Sequence, residues 1–412
     1  MAKANAERAL AELQALRRCG RFRTGVHRPT LSPEDVESRL WLRGALGALG
    51  HAAHVDGIAN VVSEAPGEGP RILAGSHIES QNEAGWLDGA LGVIYALEAA
   101  RAVAEDPELT AAGCAVDVCA FADEEGHFGS FFGSKSLTGK LSEADIDAAV
   151  CRSGRGPLRE HLAAAGLAGV PCARLDPERY LAFFEAHIEQ GPRLEAEGLT
   201  VGVVSSIVAI WQYRIVAEGE QNHAGATTMA ARKDAARALL EVWRRIEDAF
   251  PAVAGPDSVW TAGRIVVEPN APSIIPGRGE LWFQHRDSEV EILERMHARL
   301  EEVVAEADAA SPCDIRLEIV GRNIPARMDE GLRGHLAAAA EAIVPGRWRH
   351  IPSAAAHDAQ MIQPFVPSAM LFVPSIGGVS HHWTEDTAED DIRRGVEVFV
   401  EAIDRRFREA LG

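Results

Sequence analysis

The sequence contains 412 residues, of which 47% are hydrophobic, which is enough apolar material for two cores and predicts two domains. Acidic side chains outnumber basic ones by 61 to 41, and the resulting formal charge of −20 would repel a polyanion, which excludes nucleic acid as a partner. No run reaches the roughly 18 apolar residues of a membrane span, and the first 22 residues lack the continuous apolar stretch of a secretory signal. We therefore expect a soluble, cytoplasmic protein without a membrane partner.

Strand-like and helix-like segments alternate along the first part of the chain. RILAGSH at 71–77 and AVDVCAFADEEG at 115–126 are apolar segments that end in polar residues, and residues 89–106 between them have apolar positions at helical spacing. This alternation predicts an α/β fold with a mostly parallel sheet and helices on both faces. Ligands of such sheets bind beyond the carboxyl ends of the strands, where His77 and the Glu124/Glu125 pair fall.

The pattern changes at about residue 206. Strand character is found at 207–225 and 279–287, helical patterns at 234–250 and 289–310, and a helix and an apolar run follow at 332–344 and 368–378. The middle segment predicts a compact two-layer α+β unit inserted in the first domain. The sequence therefore predicts a metal-binding catalytic domain formed by 1–205 and 323–412, and an inserted domain formed by 206–322.

The six cysteines lack CxxC spacing, so neither a disulfide framework nor a structural zinc site is indicated. We expect buried or unreactive free thiols, of which Cys114 and Cys119, in or beside the strand at 115–126, belong to the core.

Histidine and acidic side chains recur in five places at predicted ends of strands or helices. These are His77 with Glu79, Asp88, DEEG at 123–126, EAHIEQGP at 185–192 and SHHWTE at 380–385. A lone histidine is usually a hydrogen-bonded core or surface residue, but five such positions together favour a metal site. Imidazole and carboxylate suit zinc, manganese or cobalt, and a carboxylate can bridge two ions about 3.5–4 Å apart. One of two adjacent glutamates can then bind an ion while the other takes a proton from water.

Six motifs identify the family that the sequence resembles. They are GSHIESQNEAGWLDGALGV, EEGHFGSFFGS, EAHIEQGP, NHAGATTMAARKDA, AAHDAQM and PSIGGVSHHWTEDT. From about residue 20 to the C-terminus, the sequence resembles the carbamoylase and allantoate amidohydrolase (hydantoinase/carbamoylase) branch of the dinuclear metallopeptidase/aminoacylase superfamily. HIEQGP together with HAGATTM points to this branch rather than to the peptidases proper.

The resemblance implies two divalent transition-metal ions per chain, which would be zinc, manganese or cobalt. It implies five metal ligands, namely His77 and His187 for one ion, Glu125 and His381 for the other, and Asp88 bridging both. Glu124 would be the general base, which accepts a proton and passes it to the departing nitrogen. Hydrolysis of a C–N bond follows from these roles.

The resemblance also implies how a small substrate with a carboxylate would be bound. The matching positions are Gln190, His223, Asn270 and Arg286. Arg286 has a guanidinium that can pair with a carboxylate through two hydrogen bonds. His223 would reach across a homodimer interface of the inserted domain and polarise the scissile carbonyl, and closure of that domain as a lid would complete the site.

Several positions depart from the usual pattern of this family. Glu79 stands where aspartate usually orients the first metal histidine, and the longer side chain is expected to change ligand geometry. The other departures are Ser273, Thr228, the absence of glycine before His357, and His382 with Trp383 after the last metal histidine. These changes leave the fold and the metal centre intact but leave the identity of the substrate open.

Three functions are compatible with these observations. The first is hydrolysis of an N-carbamoyl amino acid or related ureido acid. The second is cleavage of another C–N bond on the same scaffold, in an N-acyl amino acid, a dipeptide or, by deamination, an aromatic amino acid. The third is a non-catalytic homologue, which is disfavoured because the five ligands and the base are all present.

Overall fold

The computed structural model describes all 412 residues, with seventeen strands and thirteen α-helices. The strands are β1 Arg21–Phe22, β2 Gly25–Val26, β3 Ala52–Val55, β4 Val61–Glu64, β5 Arg71–His77, β6 Ala115–Phe121, β7 Ala182–Ile188, β8 Val201–Ile207, β9 Ala209–Glu218, β10 Asn222–His223, β11 Val259–Glu268, β12 Ile274–Ile275, β13 Arg278–Asp287, β14 Asp314–Arg322, β15 Ala326–Arg327, β16 Trp348–Ser353 and β17 Ser368–Val373. The helices are α1 Ala6–Leu16, α2 Pro33–Ala48, α3 Ala90–Glu105, α4 Pro107–Ala111, α5 Phe132–Leu137, α6 Glu143–Ala148, α7 Leu158–Ala164, α8 Arg193–Ala196, α9 Ala235–Ala249, α10 Val290–Ala310, α11 Glu330–Ile343, α12 Ala359–Ile362 and α13 Glu389–Leu411.

The chain divides into two compact units. The larger contains Met1–Ser205 and Arg327–Gly412, and the smaller contains Ser206–Ala326. The smaller unit extends past residue 322 because Asn323 is tied to β9, where it accepts hydrogen bonds from Ile210 N at 2.5 Å and from Trp211 Nε1 at 3.0 Å.

The larger unit is built on a nine-stranded sheet whose centre is parallel. In spatial order, β17, β7, β5 and β6 are neighbours and all run in the same direction. The flanking strands differ, since β8 pairs antiparallel with β17, and β4 pairs antiparallel with both β6 and β3. The mostly parallel α/β sheet predicted from the sequence is confirmed at the centre, and its margins are antiparallel. Of the antiparallel pairs, only β3 and β4 are joined by a short turn.

Side chains alternate between the two faces of this sheet, as in any strand. On β5, Ile72 and Ala74 lie in the main apolar cluster with residues of α3 and α13, whereas His77 has the opposite parity and lies on the other face. α12 packs against β7 and β17, and α5 packs against β6. Phe183 of β7 and Phe121 of β6 stack edge to face on the side of His77. Helices therefore cover both faces, as predicted.

The smaller unit has two layers. Its four-stranded antiparallel sheet has the order β11, β13, β9, β14, and α9 and α10 pack on it around a core of their own. β13 alternates strictly, with Leu281 and Phe283 buried, while Glu280 and Trp282 are partly exposed on the other face. This is the two-layer α+β arrangement predicted from the change of pattern near residue 206.

No helix combines the length and the hydropathy needed to cross a membrane. All six cysteines are free, and all except Cys172 are buried. The prediction of unpaired, mainly buried thiols is therefore confirmed.

Candidate active site

Four parallel strands deliver the predicted site residues to one edge of the large sheet. The strands lie side by side in one direction, so their carboxyl ends share that edge. His77 ends β5, His187 lies near the end of β7, and Glu124 with Glu125 follow β6. His381 lies in the loop that follows β17. The parallel topology therefore explains why residues far apart in sequence converge.

His77, Asp88 and His187 form a first group of candidate metal ligands, and all three are buried. Asp88 Oδ1 lies 3.5 Å from His77 Nε2 and 3.1 Å from His187 Nε2. The other ring nitrogens donate to backbone carbonyls, His77 Nδ1 to Glu79 at 3.1 Å and His187 Nδ1 to Ile188 at 2.9 Å. A carbonyl can only accept, so Nδ1 carries a proton and Nε2 is the nitrogen available to a cation.

Asp88, Glu125 and His381 form a second group. His381 Nε2 lies 3.3 Å from Asp88 Oδ2 and 3.5 Å from Glu125 Oε2. The Glu125 side chain is 4% exposed, whereas the His381 side chain is 51% exposed, so this group is the more open to solvent. Asp88 presents one carboxylate oxygen to each group, as a bridging ligand would.

The arrangement fits a pair of divalent ions. Asp88 Oδ1 is buried and accepts no hydrogen bond, which is costly for a carboxylate unless a cation compensates. Gly89, with φ of +67°, lets the backbone lie against His77, because a β-carbon at this position would collide with the imidazole ring. The mixed set of imidazoles and carboxylates suits zinc, manganese or cobalt.

The electrostatics of the cluster favour positive charge at its centre. Burial disfavours charge on His77, but Glu124 and Asp88 outweigh it and hold the pKa of His77 well above its ordinary value. The hydrogen bond to Asp88 raises the pKa of His381 to about 9. The pKa of Asp88 lies well below its ordinary value, since the surrounding imidazoles, led by His187, outweigh its burial. The cluster therefore attracts a cation, either a proton or a metal ion.

Glu124 lies beside the first group without belonging to either one. Its Oε2 is 3.7 Å from His77 Nε2, and its side chain is 10% exposed. Burial raises the pKa of Glu124 well above its ordinary value, and the charge of Glu125 adds to this effect. A carboxyl group with a raised pKa is suited to take up a proton and return it.

Glu79 makes a different contact from the one predicted for it. Its backbone carbonyl, and not its carboxylate, accepts the hydrogen bond from His77 Nδ1. The carboxylate instead accepts from Arg39 Nη2 at 2.6 Å and from the backbone N–H of Glu124 at 2.7 Å. The prediction that the longer side chain acts on ligand geometry is therefore corrected: in this structure it contacts the segment that carries Glu124.

Three further residues contact the cluster and were not predicted. Gln81 Nε2 donates to Glu125 Oε2 at 3.1 Å, and Ser380 Oγ donates to Asp88 Oδ2 at 3.3 Å. Glu385 Oε1 accepts from the backbone N–H of Asp88 at 3.1 Å, and burial raises the pKa of Glu385 to about 8. All three lie inside the motifs that resemble the family. They are polar residues on loops, where hydrophobic periodicity does not predict which side chains contact each other.

Gln190 is the only predicted substrate-binding residue in the larger unit. Its Nε2 donates to Asp88 Oδ2 at 3.0 Å and to Ser380 Oγ at 3.2 Å. Its backbone is left-handed, with φ of +57°. Such a conformation costs energy in residues other than glycine and is often found at functional sites.

His223, Asn270 and Arg286 belong to the smaller unit, and they do not form one cluster within it. His223 lies on β10 and Asn270 in the turn between β11 and β12. This turn follows the last residue of β11, Glu268, which pairs with Arg278, the first residue of β13. Arg286 lies eight residues further along β13, which is a distance of about 26 Å. A single smaller unit therefore presents Arg286 and His223 at opposite ends of its sheet.

His223 is exposed, and its tautomer is fixed by the backbone around it. Its Nδ1 accepts hydrogen bonds from Gly225 N at 3.0 Å and from Ala226 N at 3.1 Å. The backbone N–H groups can only donate, so the neutral imidazole carries its proton on Nε2. The loop thus presents an N–H donor outward, which is the group needed to stabilise an oxyanion.

Comparison with known proteins gives matches along nearly the whole chain. A profile of Peptidase family M20/M25/M40 matches residues 61–405. The N-carbamoyl-L-amino-acid amidohydrolase of Paenarthrobacter aurescens is 31% identical, covering 98% of this chain and 99% of that protein. The allantoate amidohydrolase of Escherichia coli is also 31% identical, covering 91% and 92%. The crystal structure of an amidase of the hydantoinase/carbamoylase family from Burkholderia phymatum superposes with a TM-score of 0.91 at 42% identity, covering 99% of each chain.

Proposed function

Because this chain belongs to peptidase family M20/M25/M40, we propose that it hydrolyses a C–N bond of an N-carbamoyl amino acid or a related ureido acid. The matches confirm the resemblance predicted from the motifs, and the protein is a hydrolase that acts on non-peptide C–N bonds. The substrate class rests on relatives that are named for N-carbamoyl amino acids and allantoate. The single observation that carries the proposal for the chemistry is the convergence of three histidines and the carboxylates around Asp88.

We propose that the two groups hold one divalent ion each, which would be zinc, manganese or cobalt. His77 and His187 would bind the first ion, Glu125 and His381 the second, and Asp88 both. When bound, such a pair lowers the pKa of a coordinated water and polarises a carbonyl oxygen. The protein groups supply the remaining chemistry.

Glu124 is the residue placed to move the proton. Its carboxylate lies 3.7 Å from His77 Nε2, at the edge of the ligand cluster, where the attacking water would lie. Glu124 accepts a proton as the water oxygen bonds to the carbonyl carbon, and then gives that proton to the departing nitrogen as the C–N bond breaks. An N-carbamoyl substrate would yield ammonia, carbon dioxide and the free amino acid.

The substrate carboxylate would pair with Arg286, and the carbonyl oxygen would accept a hydrogen bond from His223. Burial lowers the pKa of Arg286, but a guanidinium stays charged and presents a planar pair of donors. The separation of these residues within one smaller unit supports a homodimer, in which His223 and Asn270 come from one protomer and Arg286 from the other. Gln190 would contact substrate from the edge of the metal cluster.

The test is a panel of N-carbamoyl, ureido, N-acyl and dipeptide substrates, together with amino-aromatic acids, assayed for the released amine or ammonia. The proposal predicts activity on the first two classes. Activity only on the remaining classes would reject the carbamoyl assignment in favour of another C–N bond.

The role of Arg286 is tested with the same panel. Each substrate is assayed with its carboxamide analogue, which cannot form an ion pair with Arg286. Arg286→Ala should raise KM for the carboxylate, with Arg316→Ala on the same sheet as a control. An unchanged KM would remove Arg286 from the site.

A further inference from the structure

Glu79 links the predicted general base to the rest of the larger unit. Its side chain is fully buried, and its two carboxylate oxygens have separate partners. Oε2 accepts from Arg39 Nη2 at 2.6 Å, and Oε1 accepts from the backbone N–H of Glu124 at 2.7 Å. One carboxylate therefore joins an arginine on α2 to the backbone of the residue that we assign as the base.

Arg39 is itself held in place by several acceptors. It is 1% exposed, and its Nε donates to Asp35 Oδ2 at 3.0 Å. Its Nη1 donates to the carbonyls of Ala59 at 2.8 Å and Phe121 at 3.2 Å. Phe121 is the last residue of β6, three positions before Glu124. A buried guanidinium with this many acceptors has little freedom to move, so Glu79 is fixed at its Arg39 end.

The backbone on both sides of the Glu79 side chain is also fixed. The Glu79 carbonyl accepts from His77 Nδ1 at 3.1 Å, and the Ile78 carbonyl accepts from Arg28 Nε at 2.8 Å. Ser80 N donates to the Arg28 carbonyl at 3.0 Å. A shorter side chain could not be compensated by a shift of this segment, because the shift would break these contacts.

The turn that carries Glu124 needs such support. Asp123, immediately before the base, has a left-handed backbone with φ of +56°. Its carboxylate accepts from Thr30 Oγ1 at 2.9 Å and from the backbone N–H groups of Phe128 and Gly129. A left-handed conformation persists in a residue of this type only where surrounding contacts determine it. Glu79 supplies the contact on the Glu124 side of this turn.

We propose that Glu79, held by Arg39, is a positioning residue for the general base, and that its length is what allows it to reach both partners. This inference rests on the proposed function, because it concerns how Glu124 is aimed. Aspartate at this position would reach Arg39 or the Glu124 N–H, but not both, since it is shorter by one methylene. The Glu124 carboxylate would then lose its orientation while the metal ligands stay in place.

The experiment compares Glu79→Asp with a control in which the same change is made elsewhere. Glu98 is also fully buried, and its carboxylate also accepts from an arginine, Arg8, and from a backbone N–H, that of Asn5. It lies in α3, two turns beyond the first residue of that helix. Glu98→Asp therefore reproduces the loss of a methylene in a buried carboxylate and arginine pair without contact to the site.

We expect Glu79→Asp to lower kcat by about 10- to 100-fold, the usual effect of a small misplacement of a catalytic group. KM should change by less than about twofold, because the substitution leaves the residues proposed to bind the substrate unchanged. The metal content should equal that of the wild type. Hydrogen exchange at the Glu124 amide should be about tenfold faster, since its hydrogen bond is lost. Glu98→Asp should keep the wild-type kcat and the wild-type exchange at Glu124.

A wild-type kcat in Glu79→Asp, or unchanged exchange at the Glu124 amide, would overturn the proposal. Loss of metal would also overturn it, because Glu79 would then act on the ligands. If Glu79→Asp does not fold, Glu79→Gln is the second variant. Glutamine keeps the length but has only one acceptor oxygen, so it can accept from Arg39 or from the Glu124 N–H but not from both, and lowered kcat should again accompany faster exchange at Glu124. An inactive Glu124→Gln beside a fully active Glu79→Asp would reject the positioning role alone. Lack of ureidohydrolase activity in the wild type would reject the proposed function, while amide exchange would still report on the Glu79 contact.

Discussion

Asp88 is the residue on which the candidate site is centred. One of its oxygens lies 3.1 Å from His187, and the other lies 3.3 Å from His381. Its backbone N–H donates to Glu385, and the following glycine lets the chain lie against His77. A buried carboxylate surrounded by three imidazoles has a pKa well below its ordinary value, so it stays charged, as the proposed bridging of two cations requires.

Glu124→Gln tests the role of the base at this scale. The amide keeps the size of the side chain but cannot accept a proton, so kcat should fall by about 10²- to 10⁴-fold. Metal content should stay at the wild-type level, because Glu124 belongs to neither ligand group. Steady-state kinetics measures kcat, and elemental analysis of the same preparation measures the metal content. Glu178→Gln, at an exposed position, is the matched control, and a near-normal rate in Glu124→Gln would assign the base elsewhere.

Single residues show what the sequence could and could not predict. The candidate ligands could be named because histidines and acids stand at the ends of predicted strands and within motifs of a known family. The contacts of Glu79 could not, because they depend on Arg39 of α2 reaching the end of β6. Gln81 was not predicted for a similar reason, since its contact with Glu125 depends on the fold and not on any pattern in the sequence of the loop.

At the scale of elements, a short N-terminal hairpin supports the loop that carries His381. Thr24 Oγ1 donates to the carbonyl of Trp383 at 2.7 Å, and the guanidinium of Arg23 lies 4.7 Å from the centre of the Trp383 ring. Gly25 is buried between two loops. A β-carbon there would collide with the carbonyl oxygen of Ala84 and lie 2.8 Å from Trp383 Cα. Both contacts are with backbone atoms, so a β-carbon at Gly25 could be accommodated only by a shift of the main chain in these loops.

Gly25→Ala should therefore weaken the second ion position more than the first. The added methyl group would displace the loop of Trp383, and with it His381, while His77 and His187 stay on their strands. We expect metal content to fall from two ions per chain toward one after dialysis, as measured by elemental analysis.

Gly44→Ala is the control for this change, because a β-carbon at Gly44 meets nothing within 4 Å. Gly44 lies inside α2, so alanine should retain both ions and raise the free energy of unfolding by about 0.5–1 kcal/mol. Two ions retained in Gly25→Ala would show that the hairpin does not support the His381 loop.

Elements with strong periodicity were predicted well from the sequence. β5, β6, α3, α9 and α10 have long apolar patterns, and the structure contains each of them. The antiparallel margins of the large sheet could not be predicted, because β3 and β4 have only four residues each. The direction in which such short strands pair is decided by turns and by neighbouring strands rather than by their own composition.

At the scale of the whole molecule, the proposed homodimer explains why site residues are divided within the smaller unit. The face of this unit that carries α9 exposes apolar side chains, with Leu240 58% exposed and Met229 65% exposed. Arg232 and Asp234 lie in the same groove. We propose that these two exposed apolar side chains on one face contact the partner protomer.

Leu240→Arg should weaken the dimer. Burying one leucine contributes about 1.5–3 kcal/mol, so losing it should raise the dimer dissociation constant by at least about tenfold. Activity should fall together with the dimer fraction, since His223 would come from the partner protomer. Sedimentation velocity over a range of concentrations measures the first effect. Leu411→Arg, at a leucine 47% exposed in the larger unit, is the control. An unchanged dissociation constant would place the interface elsewhere.

Crystals grown or soaked with Mn²⁺ or Zn²⁺ and measured at the absorption edge of the ion test the metal centre most directly. We predict two anomalous peaks about 3.5–4 Å apart, one contacting His77 and His187, the other contacting Glu125 and His381, with Asp88 between them. No anomalous peak at these residues after soaking, or peaks bound only at other side chains, would contradict the assignment of a dinuclear centre.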